Sequence, residues 1–247
     1  MILELDCGNT LIKWRVLDVA SGQVLSAGAS DAAGSVVDSL LCLPSLALQR
    51  CRLVSVRGED ETAQLVMLLE KAFALSCCVA RPVQAVGKIR NGYDDFSLLG
   101  LDRWLAVVGA YTLADGACLV LDLGTAVTAD YIDTTGLHVG GYIGPGLALM
   151  RRQLQLHTQR IRYAGAELSD AAQELGPGRN TRDAVERGCL QMLRGFAHAQ
   201  HLQAREYLGD DFQIYLTGGD ASLLVDVLPT ARMVPDLVFM GLGVVCP

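Results

Sequence analysis

The chain has 247 residues, 51% of them hydrophobic and 19% charged, with a net charge of −7 and an isoelectric point near 5.0. High apolarity with low charge excludes a disordered chain, and 26 scattered glycines with 7 prolines exclude a collagen-like or low-complexity one. The acidic balance argues against nucleic-acid and membrane-surface partners, and the longest mostly apolar run, 104–114, falls far short of the roughly 20 residues of a membrane span.

Residues 1–6 carry two early acids and no basic segment, unlike a secretory signal. The eight cysteines (7, 42, 51, 77, 78, 118, 189 and 246) show neither C-x-x-C nor zinc-ligand spacing. Most sit in apolar runs, where cysteine acts as a small hydrophobe, so a reduced, cytoplasmic protein is expected.

Residues 2–5 and 11–17 predict strands around the turn Asp6-Cys7-Gly8-Asn9-Thr10, in which Gly8 and Asn9 tolerate positive φ. A third strand follows at 23–27, a short helix at 36–43 and a strand at 51–56. The amphipathic stretch 59–73 predicts a helix, with Leu65, Leu68, Leu69 and Phe73 on one face. A short strand fits 77–80, a polar connector 84–95 and an apolar helix 98–113.

The opening pattern then returns. An apolar strand at 118–121 ends in Asp122-Leu123-Gly124-Thr125, followed by strands at 127–132 and 137–141. Two strand–Asp-X-Gly–strand units, separated by nearly half the chain, predict an internal duplication, with halves 1–115 and 116–247. The expected fold is α/β, with a ligand cleft between the halves. A glycine-rich loop is expected at 140–146, then a helix from Leu147. Asn180 or Thr181 can cap a long helix over 183–207, with Val185, Cys189, Met192 and Phe196 forming one face. A strand at 214–217 leads into Gly218-Gly219-Asp220, and a last helix opens near Asp236.

Neither a G-x-x-x-x-G-K-[ST] loop nor a G-x-G-x-x-G turn occurs. The Asp6–Thr10 turn instead offers successive backbone N–H groups to an anion, with a hydroxyl from Thr10. Asp6 can hold a hydrated divalent ion against phosphates, and Lys13 can reach a terminal phosphate. An ordinary hairpin turn is the plain alternative, and the second copy at Asp122–Thr125 argues against it. Gly218-Gly219 can present a flat surface to a nucleobase or form a simple turn, and the turn is the stronger reading. In Gly100-Leu101-Asp102-Arg103, Asp102 can act as a general base and Arg103 can fork a substrate carboxylate. A surface charge pair explains those two residues equally well from local sequence. His198 and His201 read as a solvated helix face. Arg151, Arg152, Arg160 and Arg162 read as a solvated face or subunit contact.

Taken in order, Asp6-X-Gly8-Asn9-Thr10-X-X-Lys13, Asn91-Gly92-Tyr93, Gly100-X-Asp102-Arg103, Asp122-X-Gly124-Thr125 and Gly140-Gly141-X-Ile143-X-Pro145-Gly146 resemble the type III pantothenate kinases. These belong to the acetate and sugar kinase/Hsp70/actin superfamily. The resemblance implies duplicated ribonuclease-H-like halves around a nucleotide cleft, and ATP-dependent phosphorylation of pantothenate to 4'-phosphopantothenate, the first step of coenzyme A biosynthesis. By resemblance Asp6, Cys7, Gly8, Asn9, Thr10, Leu11, Ile12 and Lys13 form the ATP phosphate loop, and Thr125 is a second phosphate contact. Tyr93, Gly100, Leu101, Asp102 and Arg103 form the pantothenate site, with Asp102 as proton acceptor. Asp122 is then the ligand of a monovalent cation, K+ or NH4+, and Asp6 holds Mg2+ through water. Thr181 becomes a substrate contact supplied across a homodimer. The rivals are a kinase for another small hydroxy acid or sugar, a non-catalytic metabolite-binding regulator, and an actin-like ATPase.

Overall fold

The computed structural model describes residues 1–44, 46–158 and 176–247, and Arg160 and Arg162 lie outside them. In chain order the elements are β1 (Ile2–Cys7), β2 (Ile12–Leu17), β3 (Val24–Ser30), α1 (Ala33–Leu41), β4 (Arg50–Ser55), α2 (Glu59–Phe73), β5 (Cys77–Val79), β6 (Ala85–Val86), β7 (Ile89–Arg90) and α3 (Leu101–Ala114). Then come β8 (Cys118–Leu123), β9 (Ala126–Ile132), β10 (His138–Pro145), α4 (Leu147–His157), α5 (Thr181–Leu208), β11 (Gln213–Thr217), β12 (Arg232–Met233) and α6 (Leu237–Val245). They divide into two compact units: Met1–Asp115 with Gly136–His138 and Asp236–Pro247, and Gly116–Thr135 with Val139–Pro235.

Each unit is built on a five-stranded sheet of the same design. The orders are β3-β2-β1-β4-β5 in the first and β10-β9-β8-β11-β12 in the second. In unit 1, β1 pairs antiparallel with β2 and parallel with β4. In unit 2, β8 pairs antiparallel with β9 and parallel with β11. A meander followed by parallel strands, occurring twice, is the ribonuclease-H-like arrangement. The central strands β1 and β8 read ILELDC and CLVLDL, nearly continuous apolar runs that end in an aspartate near the turn. Such runs suit strands covered on both faces. In unit 1 Leu3, Leu5, Val36, Leu40, Leu53 and Leu69 form the core, and in unit 2 Leu119, Leu121, Leu193, Ile214 and Leu216 do.

Three expectations are corrected. The apolar stretch from Leu98 is not one helix: Phe96–Leu98 forms a separate 3-10 turn capped by Asp95, α3 starts at Leu101, and Leu98 is 74% exposed. Residues 140–145 do not form a loop but extend β10 to Pro145, because the glycines there are carried within a strand. Met192 lies outside the buried face of α5, at 65% exposure, and Leu190, Leu193 and Ala197 take its place beside Val185 and Cys189.

Unit 1 is closed by residues from the far end of the sequence. Glu4, on β1, is fully buried, and its carboxylate is shared by two guanidinium groups. Arg15 Nε donates to one oxygen, and Arg52 Nε donates to the other at 2.7 Å. Arg15 Nη1 also reaches Asp236 at 2.7 Å and its guanidinium lies over the Phe239 ring. Arg52 Nη1 donates to the Cys246 carbonyl at 2.9 Å. One buried acid thus ties both ends of α6 to the first sheet. The opposite side of α6 packs on α3 at backbone distance, since a Cβ on Gly241 would lie 1.9 Å from the Leu105 carbonyl oxygen.

Removing one partner of a buried ion cluster leaves the remaining charges uncompensated, which typically costs about 3–5 kcal/mol. Glu4→Ala should therefore lower the unfolding free energy, measured by urea denaturation, by about 3–5 kcal/mol. A variant that melts like the wild type would show that α6 does not depend on this carboxylate.

Candidate active site

The β1–β2 turn places Asp6 and Lys13 opposite each other in the strand register. Asp6 is partly buried, and loss of water pushes its carboxyl up to about 6; Lys13 lowers it and the Asp102 carboxylate raises it further. Residues that the sequence places far apart therefore share one electrostatic environment in unit 1. Cys7 and Ile12 point into the core. Burial pushes the Cys7 thiol up to about 12, so both residues can serve a ligand only through their backbone.

The turn itself departs from expectation. Neither Gly8 nor Asn9 has a positive φ. A single closing bond, from the Gly8 N–H to the Leu11 carbonyl at 3.0 Å, makes it looser than the tight two-residue type that requires one. That bond also occupies the Gly8 N–H. Asn9, Thr10, Leu11 and Lys13 are exposed. Arg57, which follows β4, holds the turn from below: its Nε donates to the Gly8 carbonyl at 2.8 Å. Sequence reasoning missed Arg57, because nothing local to β4 links it to the turn.

Gly100 stands at the N-cap of α3 and puts Asp102 in its first turn, where the helix dipole favours an anion. Asp102 Oδ1 accepts from the Arg103 backbone N–H at 2.8 Å. Arg103 is only 6% exposed, and its Nη1 donates to the Tyr93 hydroxyl at 2.8 Å. The guanidinium is thus turned into the protein, which removes the surface charge pair as an explanation. Beside these residues a cavity of about 810 Å³ is lined by Arg57, Arg81, Leu99, Gly100 and Leu101. That volume is within the range of small-molecule pockets, roughly 300–1,000 Å³.

In unit 2 the Asp122–Thr125 turn is closed by the Gly124 N–H donating to the Ala126 carbonyl at 3.0 Å, and Thr125 is exposed. The Thr125 carbonyl accepts from the Gly146 N–H at 3.0 Å, fixing the start of α4. Gly218 is required here, at φ +89°, because a Cβ would lie 2.5 Å from Asp122 Oδ1 and 2.4 Å from the Leu123 carbonyl oxygen. The Gly218-Gly219 turn therefore serves to admit the Asp122 carboxylate. Asp220 follows, with its N–H on the Leu123 carbonyl and its carboxyl raised by burial against the opposing pull of Arg151. Arg151 is engaged by Glu186. Thr181 is the exposed first residue of α5, and Asn180 is the cap, its side chain accepting from the Asp183 N–H at 2.9 Å. His198 is exposed, and His201 meets Phe212 edge-on.

Among the described residues no group of three or more His, Cys, Asp and Glu forms a metal cage. Asp6, a single partly buried carboxylate opposite Lys13, is the kind of group that would share Mg2+ with water and phosphates. Around Asp122, one carboxylate oxygen and the Leu123 carbonyl oxygen both border the space that a side chain on Gly218 would fill.

The family model for type III pantothenate kinase matches residues 2–202. The chain belongs to the type III pantothenate kinase family. It is 56% identical over 247 residues to the type III pantothenate kinase of Pseudomonas syringae pv. syringae, covering 100% of this chain and 99% of that one. Among solved structures it resembles a conserved Baf family protein of Campylobacter jejuni, described as a transcriptional activator, at TM-score 0.60 and 22% identity over 98% of this chain and 95% of that one. It also resembles a 2-dehydro-3-deoxygalactonokinase protein of Sinorhizobium meliloti, at TM-score 0.57 and 14% identity over 98% and 97% of the two chains. These two likenesses show the fold alone. As a member of the type III pantothenate kinases, the chain is a kinase that transfers phosphate to an alcohol.

Asp6 has a folded-state pKa raised from 3.8 to about 6, so the stability it contributes is full below 3.8 and is lost as pH rises through about 6. Ionised Asp6 therefore weakens the fold at pH 8. Asp6→Asn should raise the melting temperature there, with the gain shrinking toward pH 4, while turnover is lost. An unchanged melting temperature at pH 8 would remove the burial argument.

Proposed function

We propose that Asp102 is the general base of this enzyme. The reaction is phosphorylation of pantothenate by ATP, the step that opens coenzyme A biosynthesis. The pantothenate hydroxyl gives its proton to Asp102, its oxygen bonds to the terminal phosphorus, and the bond from that phosphorus to ADP breaks. Such a transition state is loose, so positioning and charge neutralisation supply most of the acceleration. The observation that carries this reading is that the Asp102 carboxylate, in the first turn of α3, lies near enough to Asp6 to push the Asp6 carboxyl up, which brings two acids from different elements of unit 1 together.

In this reading the loop Asp6 to Lys13 faces the phosphates through backbone N–H groups of its exposed tip, Asn9 to Leu11, the Thr10 hydroxyl and the Lys13 ammonium, and Thr125 adds a hydroxyl. Tyr93, Gly100, Leu101 and Arg103 receive pantothenate, and the cavity beside Gly100 and Leu101 adds apolar wall and the cations of Arg57 and Arg81. Mg2+ at Asp6 and K+ or NH4+ at Asp122 offset the negative charge of the phosphates. Thr181 contacts substrate from a second copy of the chain in a homodimer, a reading supported by the exposed Met192 and Leu202 on α5. The eight free cysteines support a cytoplasmic location, where thiols stay reduced. A purely regulatory role would give no reason to keep a carboxylate at position 6 that weakens its own fold.

Asp102→Asn preserves volume and leaves the phosphate loop intact, so ATP affinity and melting temperature should stay near wild type. Losing a general base costs about 10² to 10⁴ in rate, so kcat measured by ADP release should fall by that much. A variant within tenfold of wild-type kcat would refute the base assignment. In the same assay, potassium or ammonium should activate and sodium should do so poorly. Full activity in sodium alone would take Asp122 out of the cation role.

A further inference from the structure

Residues Gly136–His138 pack within unit 1, although their sequence neighbours on both sides belong to unit 2. There they meet the segment that carries Tyr93. The Gly136 carbonyl accepts from the Arg90 N–H at 2.9 Å, and Leu137 pairs with Arg90 in an isolated parallel bridge. The His138 carbonyl lies so close to Gly92 that a Cβ there would fall 1.7 Å from its oxygen. The fully buried His138 ring stacks on the Tyr93 ring, with centroids 6.0 Å apart and planes 21° from parallel. Tyr93 is held from its other side by Asn91, whose Oδ1 accepts from the Tyr93 N–H at 3.0 Å and whose Nδ2 donates to the Phe96 carbonyl at 3.2 Å. The Tyr93 hydroxyl then accepts from Arg103 Nη1 at 2.8 Å.

We propose that His138 is a positioning residue for the acceptor substrate: its ring and carbonyl fix Tyr93, and Tyr93 fixes the Arg103 guanidinium. The inference rests on the reading that Tyr93 and Arg103 receive pantothenate. A phenol whose oxygen already accepts from Arg103 is left with its own proton to donate. Its direction is set by the ring orientation, which the His138 stack restrains. The buried imidazole thus acts at one remove on a donor pair, Tyr93 and Arg103, suited to a carboxylate or carbonyl oxygen of the substrate. It has no path to the phosphate loop through these contacts, so its effect separates acceptor from donor. Gly92 is the other half of the device, since any side chain there drives the loop off the His138 carbonyl.

The test is steady-state kinetics on the full chain, with KM measured separately for pantothenate and ATP. His138→Leu keeps the volume and removes the aromatic face; His138→Phe keeps the face. Misplacing a binding group by about an ångström can cost on the order of 10²-fold, so His138→Leu should raise the pantothenate KM about tenfold or more. ATP KM should stay within twofold, and His138→Phe should restore the pantothenate value. Gly92→Ala probes the same link without altering the ring and should show the same split, which keeps the test decisive if His138→Leu does not fold. Pantothenate KM within twofold of wild type in the folded variants would overturn the proposal, as would equal increases in the Leu and Phe variants. Arg103→Lys distinguishes the two levels of the argument. If it leaves the pantothenate KM unchanged, the site reading itself fails; if it raises that KM while the His138 and Gly92 variants are silent, only the positioning role fails.

Discussion

Unit 1 depends on a single buried carboxylate. Glu4 sits in the middle of the central strand, where a charge without partners would be prohibitive, and it is tolerated because Arg15 and Arg52 flank it from the two neighbouring strands. Each arginine spends its remaining donors on the C-terminal segment, at Asp236 and at the Cys246 carbonyl. The same strand carries Asp6 two residues later, on the same face by strand alternation, and the first turn of α3 follows from the packing of α3 on α6. The ion cluster thus lies on the same strand as Asp6 and under the helix that packs on α3.

The aspartates are housed differently within each unit. Asp6 is held away from water and near a second carboxylate, which raises its affinity for a proton. Asp102 accepts a backbone N–H in the first turn of α3. Asp122 occupies a niche that exists only because Gly218 has no side chain. Three aspartates of the same type are thereby given different environments by a strand end, a helix start and a glycine turn.

The duplication was legible because its signature is local: an apolar strand, an aspartate near its end, a glycine turn and a second apolar strand, written twice. Asp102 and Arg103 were legible as chemistry but not as geometry, since only the buried turn of Arg103 toward Tyr93 separates a substrate site from a surface ion pair. Glycine misled at β10, where 140–145 reads as a loop and folds as strand, because pairing with β9 outweighs local preference. Arg57, His138 and Glu4 were invisible in their roles for one shared reason. Each acts on residues distant in the sequence, and neither periodicity nor turn chemistry encodes a partner that far away.

The interleaving of the chain has a consequence for how the protein is made. The sheet of unit 1 is complete by Val79, yet the helix that neutralises Arg15 and covers α3 begins only at Leu237. On the ribosome the first unit must therefore wait, with Glu4 and its two arginines only partly compensated, until all of unit 2 has been synthesised. Domains usually fold in order of emergence. Here the first to emerge is the last to close, and a nascent chain halted before residue 236 displays an α3 face made for a helix it does not yet have.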